Sequence, residues 1–185
     1  KDFQTMPKDP KLTADQMKEL IDKLGYGRYV NEKFPFVHNY VDNSEDDMKP
    51  EADEPHGQHV SGIIAADGQP NGDKEYVVGV APEAQLLQLR VFSADGTSLD
   101  LAKQIVDAVN LGADVIQMSL GGGVAAADLG VADQKAVQYA VDHGVIVSIS
   151  ASNNGNAASV DNTSHITDSD YQSGGNVKWL LQQHR

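Results

Sequence analysis

Apolar positions along the 185 residues change period several times, and those changes lay out the chain. Residues 1–12 are polar, carry Pro7 and Pro10, and read as loop. Met17, Leu20, Ile21 and Leu24 then recur at helical spacing. Thr13 and Gln16 are placed as a capping box ahead of them, and Gly25 supplies the stop. An aromatic strand is predicted near 34–41. It is followed by an acidic stretch, 42–54, that reads as a solvated loop. Residues 56–66 have no charged side chain and almost no polar stripe, which predicts a buried helix. Glycine costs about 1 kcal/mol inside a helix. Gly57 and Gly62 therefore point to close approach of that helix to another backbone. After a Gly/Asp/Asn loop at 67–74, strands are predicted at 76–80, 86–92, 115–119 and 145–150. Helices are predicted at 99–111 and 128–143, presenting Ile105, Val106 and Val109 on the first and Val137, Ala140 and Val141 on the second. Continuous aliphatic strands alternating with helices predict an α/β fold, with a mostly parallel sheet covered on both faces in three αβα layers. The tail from 157 to 175 is loop-like, ending in a short apolar patch at 177–181.

Composition narrows the function classes. With 40% hydrophobic residues the chain is globular, and 185 residues suffice for one domain with a real core. A net charge of −13 repels polyanions, so nucleic acid is not an expected partner. No apolar run approaches the roughly 18 residues of a membrane span. Without cysteine there is no disulfide, thiolate metal site or cysteine nucleophile. The first residue is Lys1 with no signal peptide ahead of it, and the chain reads as cut from something longer.

Candidate chemistry begins with His56, at the head of the uncharged helix. On its own such a histidine is more often a structural, backbone-bonded residue than a catalyst. In an open α/β sheet, ligands sit at the carboxyl ends of strands. Two predicted strand ends carry suggestive residues: Ser119-Leu120-Gly121-Gly122-Gly123, and Ser150-Ala151-Ser152-Asn153-Asn154-Gly155. The triple glycine fits neither GxxxxGK[ST] nor GxGxxG, leaving a tight strand-to-helix turn as its alternative reading.

Four blocks, in order, resemble the subtilisin-like serine proteases. They are His56-Gly57-Gln58-His59-Val60-Ser61-Gly62 with the aliphatic run after it, Gly79-Val80-Ala81-Pro82-Glu83-Ala84-Gln85-Leu86, residues 115–122, and residues 144–155. Within that family, Gly27-Arg28-Tyr29, Asn39-Tyr40-Val41-Asp42-Asn43 and residues 78–87 resemble the cell-envelope proteinases of the lactocepin and C5a-peptidase group. The resemblance implies a Ser-His-Asp endopeptidase in which His56 is the general base and Asn153 the side-chain donor of the oxyanion hole. His59 would be structural. Ser119, Leu120, Gly121 and Gly122 would line the strand that pairs with a protein or peptide substrate. Ala151 and Ser152 would form the far wall of the S1 pocket, and Gly96, Thr97 and Ser98 the opposite substrate-pairing edge.

The chain departs from the family pattern at Gln58, where a small hydroxyl residue is usual, and at Ser152, where glycine is usual. The larger departure is that no Asp-Ser/Thr-Gly strand precedes His56 and no Gly-Thr-Ser-Met-Ala block appears. Ser61, Ser119 and Ser173 all lack that setting. The expectation is therefore one incomplete catalytic domain: an N-terminal helix and acidic insertion at 1–55, a core at 56–156, and a loop with a short helix at 157–185. Such a piece would be inactive alone. It would also lack one central strand, to be completed by the remainder of its own domain or a second copy. No motif demands a cofactor. A structural calcium ion in the acidic stretch is an open alternative, although the carboxylate spacing fits no calcium-loop pattern. Two other readings compete: a non-catalytic protein-binding module derived from a subtilase, and a metal hydrolase using His56 and His59. The latter lacks the glutamate of an HExxH helix. The resemblance further implies a secreted or cell-wall-attached protein of a Gram-positive bacterium.

Overall fold

A computed structural model describes residues 12–43, 56–68, 77–92, 100–120 and 131–149. The chain divides into two compact units, residues 1–96 and 97–185. Among the described residues, four helices and four strands alternate as in an α/β chain, and all strand pairing within the two sheets is parallel. Among the described residues, each unit holds one two-stranded sheet.

The first unit opens with α1 (Ala14–Leu24). Its capping box forms as the sequence predicts. The Thr13 hydroxyl accepts from the Gln16 N–H at 3.3 Å, and Gln16 Oε1 accepts from the Thr13 N–H at 2.9 Å. Gly25 ends the helix at φ 86° and donates its N–H to Ile21 O, using the left-handed conformation that glycine adopts without strain. Strand β1 (Phe36–Asn39) is buried at every residue, as expected of a strand covered on both faces. It pairs in parallel with β2 (Leu87–Arg90), from Phe36 opposite Leu87 to Asn39 opposite Arg90. His38 is packed between the Tyr26 and Tyr40 rings, 4.6 Å from each by centroid. Asn39 closes the strand, its Oδ1 accepting the Val41 and Asp42 N–H groups while Nδ2 donates to Asp42.

Helix α2 (His56–Ala65) matches the predicted helical segment but corrects the expectation of burial. Residues 56–59 are exposed, Ile63 is 52% exposed, and only Ala65 is buried. A Cβ built on Gly57 or Gly62 would meet nothing within 4 Å, so neither glycine serves a close approach. That approach comes from Gly79 instead. A Cβ there would lie 2.5 Å from Ala65 N and 2.6 Å from Ala66 N.

The predicted strand at 76–80 is also corrected. Of its described part, Val78 makes one antiparallel bridge to Asp67, while Val77, Val78 and Val80 are exposed. The reason lies in the backbone donors. Gly79, Val80 and Ala81 give their N–H groups to the carbonyls of Ala66, Ile63 and Ile64 at 2.8, 3.0 and 2.7 Å. Carbonyls at a helix end have no intrahelical partner, and this segment satisfies them. A segment spent on a helix end cannot also run as a strand in a ladder. Gln85 then ties the segment to the rest of the unit. Its carboxamide accepts from the Leu12 N–H at 3.0 Å and donates to the carbonyls of Leu12 (3.0 Å) and Glu32 (2.9 Å).

The second unit contains α3 (Leu101–Asn110), β3 (Val115–Met118), α4 (Val131–Asp142) and β4 (Ile146–Ile149). Strands β3 and β4 pair in parallel, Val115 opposite Ile146 through Met118 opposite Ile149. Ile105, Met118, Ala136, Val137, Ala140, Val145 and Val147 form its buried core, with Val106, Val109 and Val141 packed against it. These are the faces that helical spacing singled out.

Candidate active site

His56 is the first residue of α2, exposed, with no acidic residue in the first helical turn. The helix beneath it is anchored at both ends. At the carboxyl end, the backbone of residues 79–81 seals three carbonyls. Near the amino end, Ser61 Oγ donates to Gly57 O at 2.7 Å and accepts from Gln88 Nε2 at 2.8 Å. Gln88 stands on β2 opposite Val37, which is 5% exposed. The Ser61 hydroxyl is thus engaged with backbone and strand.

Ser119 and Leu120 directly follow β3 in the second unit. The Ser119 hydroxyl accepts from Gln117 Nε2 at 2.8 Å, and Leu120 is half-buried against the core of that unit. His56 belongs to one unit and Ser119 and Leu120 to the other. The remaining candidates, Gly96, Thr97, Ser98, Gly121, Gly122, Ala151, Ser152 and Asn153, lie outside the described residues. So do residues 44–54 of the acidic stretch and the apolar patch at 177–181. Among the described residues, no group of three or more His, Cys, Asp or Glu side chains is arranged to hold a metal ion. No helix among them is long and apolar enough to cross a membrane.

Sequence reasoning missed two contributors to the setting of His56. Gly79-Val80-Ala81 reads from the sequence as a strand end and a block of likeness, whereas its three amides close α2. The signal available was a glycine shortly after a helix that needed a partner for its end. The Gln88–Ser61 bond left no signal, because a pairing between residues 27 apart has no local signature.

A profile of the subtilase family matches residues 8–177. The chain is 41% identical over 157 residues to the PII-type proteinase of Lactococcus lactis subsp. cremoris, a match covering 82% of this chain and 8% of that protein. It is 39% identical over 149 residues to the C5a peptidase of Streptococcus pyogenes, covering 75% of this chain and 12% of that protein. Among solved structures, the protease domain of PatA aligns over 58% of this chain and 39% of its own, at 32% identity and a TM-score of 0.47. The chain thus matches only a small part of the length of these proteinases, 8% of one and 12% of the other. With nearly its whole length matched by the family profile and its histidine block folded as an anchored helix, the chain belongs to the subtilase family.

Proposed function

We propose that this chain supplies the histidine side of a subtilisin-like serine endopeptidase. The observation that carries the reading is the family match over residues 8–177, with His56 at the exposed head of α2 where a substrate can reach it. His56 takes the proton from a serine hydroxyl as that oxygen attacks the scissile carbonyl, and then returns it to the leaving amine. Asn153 donates its side-chain amide to the oxyanion. Removing such a donor costs about 10²–10³ in turnover, a figure that itself comes from a subtilisin. Ser119, Leu120, Gly121 and Gly122 pair with the backbone of a protein or peptide substrate, Gly96, Thr97 and Ser98 form the opposite edge, and Ala151 and Ser152 wall the S1 pocket.

The aspartate and the nucleophilic serine come from polypeptide outside these 185 residues. The parent protein is secreted or attached to the wall of a Gram-positive cell, as the lactococcal and streptococcal relatives suggest. In the full-length protein, His56→Ala abolishes peptide hydrolysis, while the isolated 185 residues do not react with a fluorophosphonate active-site label. Labelling of the isolated chain, or full activity of the His56→Ala protein, overturns the proposal.

A further inference from the structure

Building on the reading of His56 as general base, we infer that Gln88 and Ser61 are positioning residues for it, forming a two-bond relay that fixes the first turn of α2 from strand β2. Gly57, the residue after His56, carries no side chain, and a Cβ there would touch nothing within 4 Å. Residues 56–59 are all exposed. Glycine in an exposed first helical turn favours fraying. The Gly57 carbonyl oxygen accepts the Ser61 hydroxyl at 2.7 Å. A serine bonded back one turn is common and by itself holds little. Here the hydroxyl also accepts from Gln88 Nε2 at 2.8 Å, so its proton is directed at Gly57 and a lone pair at the strand. Gln88 lies in the parallel register of β1, whose four residues are all buried. The relay therefore connects the base's own helical turn to β2, the strand paired with the fully buried β1. A general base must stay within hydrogen-bond reach of its proton, and a displacement of about 1 Å can cost about 10² in rate.

The test is made in the full-length protein with Gln88→Leu, Ser61→Ala, the double variant, Ser61→Thr and the near-isosteric Gln88→Glu. It reads kcat and KM on an internally quenched peptide, melting temperature, and hydrogen exchange of the Val60 and Ser61 amides. Each of Gln88→Leu and Ser61→Ala lowers kcat by about threefold to tenfold, the scale of one lost hydrogen bond, with KM unchanged. The double variant is no worse than either single one, because both break the same relay. Ser61→Thr keeps the hydroxyl and most of the rate. Gln88→Glu keeps the shape but turns the serine proton away from Gly57, and it loses rate like Gln88→Leu. Unchanged kcat in both single variants overturns the inference, as does additive loss in the double variant or a loss that only follows the melting temperature. If the unmodified protein cleaves no peptide, the protease reading fails by itself. The relay then stands or falls on amide exchange, which must speed up at Val60 and Ser61 in Gln88→Leu and Ser61→Ala.

Discussion

Gly79 and Gly62 lie near the same helix, yet they answer differently to the same methyl group. At Gly79 an added Cβ would sit 2.5 Å from Ala65 N and 2.7 Å from Ile64 C, both backbone atoms that cannot swing aside. Overpacking of that kind costs about 1–3 kcal/mol, and here it would also pull the amides of 79–81 away from the end of α2. Gly62 has nothing within 4 Å and lies inside the helix, where alanine is favoured by about 0.5–1 kcal/mol. Urea melts of the chain followed by circular dichroism should therefore move in opposite directions, Gly79→Ala downward and Gly62→Ala upward. Equal shifts of one sign would mean that the close approach is not where the geometry puts it.

At the scale of elements, α1 offers two measurable terms. Thr13→Ala removes the acceptor that satisfies the Gln16 N–H and should cost about 1 kcal/mol in the same melts. Glu19 bonds Lys23 one turn on, at 2.8 Å, and the hydrogen bond and charge of that ammonium hold its carboxyl below the usual value of 4.5. A carboxyl whose folded pKa is depressed stabilises the fold above its unfolded pKa, and that contribution is lost as pH falls through the folded value. Both groups are exposed, so the effect is small and screened by salt. Glu19→Gln should lower stability slightly at neutral pH and low salt, flatten the acid limb below about pH 4.5, and match the unmodified protein at the most acid pH. An unaltered acid limb would refute it. Elements of this kind were the legible part of the sequence, since Thr13, Gln16 and Gly25 mark the ends of α1, and Ile105, Val137 and Ala140 mark inward faces. What misled was apolar character taken as burial. Residues 77–80 look like a strand until the amides of Gly79 and Val80 are seen to be used by α2, and the uncharged residues of α2 are largely exposed. For the site, the histidine block was readable because it is a contiguous motif, whereas the Gln88–Ser61 relay depends on a fold contact between distant residues.

For the molecule as a whole, the first unit presents Ile63, Val77, Val78 and Val80 at 52, 68, 57 and 89% exposure. Ile63 and Val80 are neighbours through the backbone, the Val80 N–H being bonded to Ile63 O. Contiguous exposed aliphatic surface promotes association, whereas a net charge of −13 opposes it, so the two influences compete in the isolated chain. They can be separated at Val80, whose side chain is almost wholly in water. Val80→Lys moves the net charge toward zero, and Val80→Glu moves it away. If charge governs association, lysine should increase light scattering and glutamate reduce it. If the patch governs, both substitutions should reduce scattering and the binding of a hydrophobic dye, with stability unchanged within about 0.5 kcal/mol, as for other surface positions. The high exposure of all four aliphatic side chains favours the second outcome. Greater scattering from Val80→Lys would show instead that net charge decides.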